Sequence, residues 1–234
     1  MKKYLSISLT TLLGVAVFFF ILSFSIGLPI YCRFFYYLHI NALGLPDAVG
    51  YDYATIKEAY DQVLNYLTLP NLEFSAGVFK FTEEGAAHFA DCKVLFNINL
   101  IALLSSSAII IALLVLEKFK KISLYRPFGY SVAFVSAISV LAIIVVLFGV
   151  VSINFEKAFV IFHQIFFAGK DNWTFHPYYD QIITVLPQEF FMNCAIFIGV
   201  GIIALSVGII VFQVVTKKIK QRKTIDNGGA KKEN

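Results

Sequence analysis

The residues best suited to chemistry in this chain of 234 residues are its four histidines, because an imidazole gains and loses a proton near neutral pH. They are His39, His88, His163 and His176. Metal binding is not predicted, since no His-x3-His, His-x-x-Glu-His or Cys-x-x-Cys spacing occurs. The three cysteines stand singly, and no Gly-x-Ser-x-Gly motif or phosphate-binding glycine loop is present. Proton transfer by histidine is therefore the chemistry that the sequence favours.

His88 lies two turns inside a predicted helix that continues into an apolar segment. Thr82 suits the N-cap position, and Glu83 and Glu84 suit the positive end of the helix dipole. Asp91 follows His88 by three positions, so both side chains should lie on one helix face. The pattern predicts a histidine at the point where an outer segment meets the bilayer, although a single histidine near a helix start is commonly a surface residue.

His163 belongs to a short predicted helix that Asn154 can cap and Gly169 can end. Four phenylalanines recur in it at helical spacing: Phe155, Phe159, Phe162 and Phe166. The loop that follows contains the chain's one tryptophan, Trp173, among further aromatic residues and prolines. Such a loop should pack at the bilayer surface, where an interfacial anchor is its simplest function. Two imidazoles in such places could divide a proton-transfer task between an acceptor and a donor.

The elements that must position these residues are membrane spans. Apolar residues make up 59% of the chain and charged residues 15%, against roughly 25% in a soluble domain. This composition excludes a disordered chain, a nucleic-acid-binding domain and a disulfide-stapled secreted scaffold. Four segments are long enough to cross a bilayer: 1–30 (apolar from about Leu5), 94–116, 128–151 and 192–215. Their apolar stretches contain no ionisable side chain, which argues against an ion or proton path through the membrane.

The distribution of lysine and arginine predicts the orientation of these spans. The N-terminus, the loop 117–127 and the basic tail 216–234 hold 13 of the 19 basic residues with 3 acidic residues. The segments 31–93 and 152–191 hold the other 6 with 12 acidic residues. Both termini and the short loop are therefore predicted to be cytoplasmic. The segment 31–93 and the aromatic segment 152–191 are predicted to form an extracellular cap.

Within the cap, a helix is predicted from about Tyr53 to Leu67, since its apolar residues fall on one face. A little strand is expected near Leu72–Phe81. The aromatic run Phe34–Tyr37 is interpreted as an interface belt. The end of the chain, from about Thr224 to Asn234, is expected to be disordered.

Two histidine motifs and the aromatic residues that follow them resemble those of a known family. The first is Phe81-Thr82-Glu83-x4-His88-x2-Asp91-x-Lys93, and the second is Phe162-His163-x2-Phe166-Phe167. The second continues with Asn172-Trp173-x-Phe175-x-Pro177, Asp180 and Leu186-Pro187-x2-Phe190-Phe191. Over nearly its whole length the chain thus resembles the lipoprotein intramolecular transacylase (Lit) family, small four-helix integral membrane proteins of low-GC Gram-positive bacteria. It departs from the family pattern at His176, where an acidic residue is commoner, and in a slightly longer Gly169–Asn172 stretch.

The resemblance implies an all-α membrane protein of the bacterial cell membrane, with four transmembrane helices and an active site at the extracellular face. The implied reaction moves the sn-2 acyl chain of a diacylglyceryl lipoprotein to the α-amine of its N-terminal cysteine. The product is the lyso form, an N-acyl S-monoacylglyceryl lipoprotein. The substrate supplies its own nucleophile, so no metal or cofactor is expected. The expected partners are the lipoprotein substrate and membrane lipid, with no nucleic acid and no obligate protein partner.

On this resemblance His88 and His163 are assigned to the two proton transfers, without deciding which acts first. Asp91 is expected either to orient His88 or to be a surface carboxylate, and Asn172 to donate a hydrogen bond to the developing oxyanion. The substrate-binding surface is expected to consist of Phe162, Phe166, Phe167, Trp173 and Phe175.

Two alternatives remain open from the sequence. The chain could be a non-enzymatic membrane protein whose aromatic residues bind a partner. It could also be a lipid ester hydrolase that uses the same histidines with water as the nucleophile.

Overall fold

The computed structural model describes residues 2–229, which form α-helices, two 3₁₀ turns and no strand. The α-helices are α1 (Lys2–Tyr31), α2 (Arg33–Ala42), α3 (Leu45–Val49), α4 (Tyr53–Thr68), α5 (Glu83–Lys118), α6 (Val132–Ile153), α7 (Phe155–Phe166) and α8 (Gln188–Gly229). The 3₁₀ turns are Pro127–Gly129 and Gln181–Thr184. The predicted all-α fold class is confirmed.

Within the described range, four helices are long and apolar enough to cross a membrane. The candidate spans are Lys3–Tyr31, Glu83–Lys118, Val132–Gly149 and Gln188–Arg222. The prediction of four transmembrane helices is confirmed, although α5 and α8 extend well beyond the apolar segments that the sequence suggested.

The chain divides into two compact units, the first formed by Met1–Leu22, Leu103–Val145 and Val200–Asn234. Inside it α1 and α6 approach closely at Gly14, because a Cβ there would lie 2.8 Å from a methyl group of Val132. Ser136 donates a hydrogen bond to the Gly14 carbonyl at 3.0 Å. Small residues at a helix crossing and hydroxyls bonded across it are the usual means of packing helices in a membrane.

The second unit comprises Ser23–Ala102 and Val146–Gly199 and has a core of its own. At its centre Tyr36 stacks on Tyr60 with ring centroids 3.7 Å apart, and the Tyr36 hydroxyl donates to the Val185 carbonyl at 2.7 Å. We call the residues around this pair the tyrosine core. The predicted buried face of α4 contributes Ile56, Tyr60, Val63, Leu64 and Leu67 to it.

The interface-belt interpretation of residues 34–37 is wrong for Tyr36, which is fully buried. Phe35 also packs inside the unit, stacked on Phe197 with centroids 4.6 Å apart, while Phe34 remains 63% exposed. The run forms part of a separate short helix, α2, so only one face of it points outward. A buried carbonyl acceptor allows the Tyr36 hydroxyl to leave water without losing a hydrogen bond.

The strand expected near Leu72–Phe81 is absent from this segment, which is irregular. Gly77 has φ +61°, a left-handed conformation that interrupts an extended strand, and its N–H donates to the side chain of Gln62 at 3.1 Å. At the other end of the chain α8 includes residues 224–229, for which disorder was expected. The remainder of that expectation, residues 230–234, lies outside the described residues.

Candidate active site

The helix that carries His88 begins as the sequence predicted. Thr82 caps α5, since its Oγ1 accepts from the N–H of Gly85 at 2.9 Å. The buried carboxylate of Asp180 accepts from both the N–H and the hydroxyl of Thr82, each at 2.8 Å. Gly85 is required beside it, because a Cβ there would collide with the Asp180 carboxylate. Asp180 thus connects the aromatic segment 152–191 to the start of the helix that carries His88. The motif alone did not indicate this role.

His163 lies in α7, which Asn154 caps by accepting from the Lys157 N–H at 2.8 Å. Its Nδ1 lies 2.7 Å from the carbonyl oxygen of Phe159. A carbonyl can only accept, so Nδ1 carries the hydrogen and Nε2 of the neutral ring keeps its lone pair. Burial lowers the pKa of His163 below its ordinary value of 6.5, and the hydrogen bond to Phe159 opposes this only in part. His163 is therefore a neutral imidazole with a free basic nitrogen at neutral pH.

The structure brings the two predicted histidines together, although 75 positions separate them in the sequence. Their ring centroids are 5.8 Å apart with planes inclined by 29°, and the residues are 5% and 8% exposed. We call them the histidine pair. Three of the predicted aromatic residues enclose it: Phe167 lies against both rings, Phe175 against His88 and Trp173 against His163.

The other two predicted substrate-binding residues lie on the outer face of α7. Phe162 is 45% exposed and Phe166 is 52% exposed, and their rings are in contact with centroids 4.6 Å apart. Phe162 meets the edge of His163 at a centroid distance of 5.5 Å. Phe166 shows no ring contact with either member of the histidine pair among the described contacts. The aromatic enclosure thus has an inner wall at the imidazoles and an outer apolar face.

The three-residue spacing suggested that Asp91 could pair directly with His88. In the structure Asp91 bonds to two other side chains instead. Its Oδ1 lies 2.5 Å from Lys170 Nζ, and its Oδ2 accepts from Asn172 Nδ2 at 3.0 Å. Lys170 was missed from the sequence because 79 positions separate it from Asp91. The carboxylate therefore holds the loop that carries Asn172 and Trp173, and it acts on His88 through its charge and through the asparagine.

Two polar side chains besides His163 lie next to the His88 imidazole. Cys92, one helical turn further along α5, places its Sγ 3.4 Å from His88 Nε2, a contact that the i,i+4 spacing could have indicated. The Asn172 amide interacts with the imidazole from the facing loop. Even so, among the described residues neither His88 Nδ1 nor Asn172 Oδ1 finds a hydrogen-bond partner of acceptable geometry, and both atoms are buried.

The remaining histidines lie elsewhere. His39 Nδ1 contacts the carbonyl of Phe35 in its own helix at 2.6 Å. His176 is exposed, and its Nδ1 accepts from the N–H of Tyr178 at 3.3 Å. Within residues 2–229 no group of three or more His, Cys, Asp and Glu side chains could hold a metal ion. Among the described residues, the histidine pair is thus the group best suited to proton transfer beside apolar side chains.

The chain is similar to the structure of the membrane integral lipoprotein intramolecular transacylase Lit from Bacillus cereus, with a TM-score of 0.80 and 25% identity, over 92% of this chain and 96% of that chain. Two structures of the same Bacillus cereus protein with one histidine replaced, by arginine or by alanine, are also 25% identical. The structure with arginine gives a TM-score of 0.76 over 92% of this chain and 93% of its own chain. The structure with alanine gives a TM-score of 0.73 over 90% of this chain and 94% of its own chain. No curated protein sequence matches. Because the model of the lipoprotein intramolecular transacylase family matches residues 11–191, more than half of the chain, this protein belongs to that family.

Proposed function

We propose that the protein moves the sn-2 acyl chain of a diacylglyceryl lipoprotein to the α-amine of its N-terminal cysteine, with His88 and His163 carrying the protons. Family membership makes the chain a transacylase and removes the partner-binding alternative. The observation that carries the finer assignment is the histidine pair, in which two buried imidazoles from distant segments lie with centroids 5.8 Å apart.

The reaction needs two proton transfers and no further reactant. The α-amine, with a reference pKa of about 7.7–8.0, loses a proton as its nitrogen bonds to the acyl carbon. The bond from that carbon to the glyceryl oxygen breaks, and the oxygen gains a proton. Positioned acid–base groups typically accelerate such steps by about 10²–10⁴-fold, and folding the amine onto the ester contributes more. The free Nε2 of His163 and the adjacent His88 imidazole suit these two transfers.

The aromatic enclosure supports acyl transfer over hydrolysis. Phe167 lies against both imidazoles, and Phe175 and Trp173 close the two sides of the pair. Apolar walls of this kind hold acyl chains and keep water away from an activated ester. The exposed outer face of α7, with Phe162 and Phe166, extends the apolar surface toward lipid. We assign the inner residues to the acyl chains at the reacting ester and the outer pair to the approach of the substrate.

The proposal places the histidine pair at the extracellular face of a bacterial cell membrane, with both termini in the cytoplasm. The support is the charge distribution, with 13 of 19 basic residues in the segments assigned to the cytoplasm. A reporter that is active only in the cytoplasm, fused after residue 222, should be active. The same reporter inserted at the exposed residue Asp171 should be silent.

The function is tested by mass spectrometry of the N-terminal peptide of a reporter lipoprotein, made in a host without lyso-form synthesis. The wild-type protein should convert the peptide to the lyso form. His88→Ala and His163→Ala should abolish conversion, and His39→Ala, which alters a histidine outside the site, should preserve it. Full conversion by both site variants would refute the histidine mechanism. Free fatty acid without N-acylated peptide would instead establish the hydrolase.

A further inference from the structure

The first unit contains a cavity of about 550 Å³, a volume within the roughly 300–1,000 Å³ typical of ligand pockets. All four membrane-spanning helices contribute apolar side chains to its wall: Leu13, Leu114, Val132, Ala133, Leu205 and Phe212. We call it the first-unit cavity. His88 and His163 both belong to the second unit, so a ligand in this cavity would be separate from the reacting ester.

The cavity exists because α8 presents small residues where another element could have packed. Gly208 is exposed, and a Cβ added there would meet no heavy atom of the described residues within 4 Å outside its own stretch of helix. Ala204, one turn earlier, also lines the cavity and is exposed. Gly14 in the same unit shows the contrast, since a Cβ there would lie 2.8 Å from Val132. Small residues in membrane helices normally allow such close packing, whereas at Gly208 the space stays open.

An acyl chain is the occupant that suits this wall. Leu114 and Phe212 line the cavity and are exposed, so it opens at a surface of the candidate spans that a membrane would cover. An empty space would cost the apolar wall the dispersion contacts of a packed neighbour. Water would find few hydrogen-bond partners along such a wall. Hydrocarbon from the bilayer supplies the missing contacts.

One end of the cavity carries basic side chains. Arg126 lines it, and Lys217 follows the lining residue Gln213 by one helical turn on the same face of α8. The Lys217 ammonium lies 3.7 Å from the centre of the Tyr130 ring, which leaves its hydrogens free to bind an anion. The acidic lining residue Glu117 lies 3.5 Å from Arg126, and both side chains are partly exposed, so this ion pair is weak.

An anionic headgroup matches this end of the cavity. Arg126 can bind a phosphate through its planar fork, and Lys217 can bind it as a point charge. The loop 117–127 holds four basic residues and one acidic residue, and it is predicted to face the cytoplasmic leaflet, which carries anionic lipid. We propose that the first-unit cavity binds one anionic phospholipid, with an acyl chain along Gly208 and its phosphate at Arg126 and Lys217. The lipoprotein substrate is not this ligand, since its thioether-linked glyceryl group carries no phosphate.

The test compares two lipids that have the same acyl chains. Phosphatidylglycerol is anionic, and phosphatidylcholine has no net charge. Each lipid is titrated into the delipidated full chain in detergent, and native mass spectrometry gives the dissociation constant of the first bound lipid. The wild-type protein should bind phosphatidylglycerol about tenfold more tightly than phosphatidylcholine, because two basic side chains face its net negative charge.

Two variants separate the acyl chain from the headgroup. Gly208→Leu places a side chain in the open space and should weaken the binding of both lipids by about tenfold or more, since the leucine and the acyl chain would occupy the same volume. Arg126→Gln should leave phosphatidylcholine binding unchanged and reduce the preference for phosphatidylglycerol to about threefold or less. The matched controls are Gly149→Leu, at an exposed glycine of α6 that also has open space, and Lys157→Met, at an exposed lysine of the second unit. Both should behave as the wild type.

Equal affinity of the wild-type protein for the two lipids overturns the inference, as does wild-type lipid binding by Gly208→Leu. A loss in Gly149→Leu as large as in Gly208→Leu would show that the lipid only surrounds the helices, which also overturns it. If Gly208→Leu does not fold, Arg126→Gln decides, and an unaltered preference in that variant refutes the phosphate site.

The outcome is independent of the proposed function, because the titration measures lipid binding and the reporter assay measures conversion.

Discussion

The tyrosine core and the histidine pair, two buried clusters of the second unit, differ in how their polar atoms are hydrogen-bonded. In the tyrosine core the Tyr36 hydroxyl donates to the Val185 carbonyl at 2.7 Å. At the histidine pair, His88 Nδ1 and Asn172 Oδ1 are also buried, and these neighbouring side chains interact without reaching ideal hydrogen-bond geometry. Satisfied buried groups specify one packing, and unsatisfied ones disfavour the fold unless a ligand completes them. The first cluster therefore maintains one packing, whereas the polar groups of the second are held less tightly.

The carboxylates beside the two clusters show the same difference. Asp61 accepts from Lys57 at 2.7 Å, from Tyr37 at 2.6 Å and from Arg33 at 3.0 Å. Burial raises the pKa of Asp61, but these three hydrogen bonds outweigh it and hold the pKa below its ordinary value of 3.8. Asp91 instead accepts from Lys170 and from Asn172, whose other amide atom faces the histidine pair. Asp61 therefore belongs to a structural network, whereas Asp91 supports a residue of the candidate active site.

The largest expected effect is the loss of either histidine of the pair. His88→Ala and His163→Ala should each lower kcat/KM for reporter conversion by about 10²–10⁴-fold. Because the two imidazoles act on one pair of proton transfers, the double variant should lose little more than the worse single variant. Initial rates in detergent micelles measure this. Losses that multiply in the double variant would show that the histidines act independently.

The second effect concerns Asp180, the buried carboxylate that bonds to Thr82 at the start of the helix that carries His88. Asp180→Ala removes two hydrogen bonds at the start of α5, and charge-assisted bonds of this kind contribute about 1.5–3 kcal/mol each. The free energy of unfolding should therefore fall by about 3–6 kcal/mol, and conversion should fall with it because the loop carrying Trp173 is released. Asp180→Asn retains the accepting oxygen and should recover most of both. Failure of the asparagine variant would show that the charge itself is needed.

The sequence separation of bonded residues explains which parts of the site could be predicted from the sequence. Caps and helix faces depend on neighbours in the chain, so Thr82, Asn154 and the buried face of α4 were predicted correctly. The bonds of Asp180 to Thr82 and of Lys170 to Asp91 join residues 98 and 79 positions apart, and local patterns contain no information about them. For Asp91 the local spacing left two roles open, and the lysine and the amide that bond to it come from a distant segment.

The third effect should appear only in stability. Tyr36→Phe leaves the buried Val185 carbonyl without its donor, which should lower the free energy of unfolding by about 1–3 kcal/mol. The rate of conversion by the folded protein should be unchanged, since Tyr36 shows no described contact with the histidine pair. Denaturant unfolding in mixed micelles, compared with Tyr178→Phe at a tyrosine 70% exposed, measures the difference. A large loss of activity in folded Tyr36→Phe would contradict the separation of the two clusters.

The pH dependence gives a fourth test. Burial holds the pKa of His163 below 6.5, so the ring stays neutral, and able to accept a proton, until the pH falls below that value. The acid limb of kcat/KM should therefore have its midpoint below pH 6.5, with the rate falling as the pH drops through it. Phe167→Ala admits water beside the ring and should move this midpoint upward. A wild-type midpoint above pH 6.5 would argue against His163 as the proton acceptor.

The smallest effect is expected at Lys170, and it defines the outer limit of the site. The ion pair with Asp91 is partly exposed, and such pairs contribute about 0–1 kcal/mol, so Lys170→Met should change stability little. Asn172 still bonds to Asp91 in this variant, and conversion should fall only about two- to fivefold through looser positioning of the amide. Lys157→Met, at an exposed lysine of α7, removes the same charge and should have no effect. If conversion by Lys170→Met instead fell as far as conversion by His163→Ala, the Lys170 cation would take part in the reaction. Asp91 and Lys170 would then belong to the catalytic site and not to its hydrogen-bonding support.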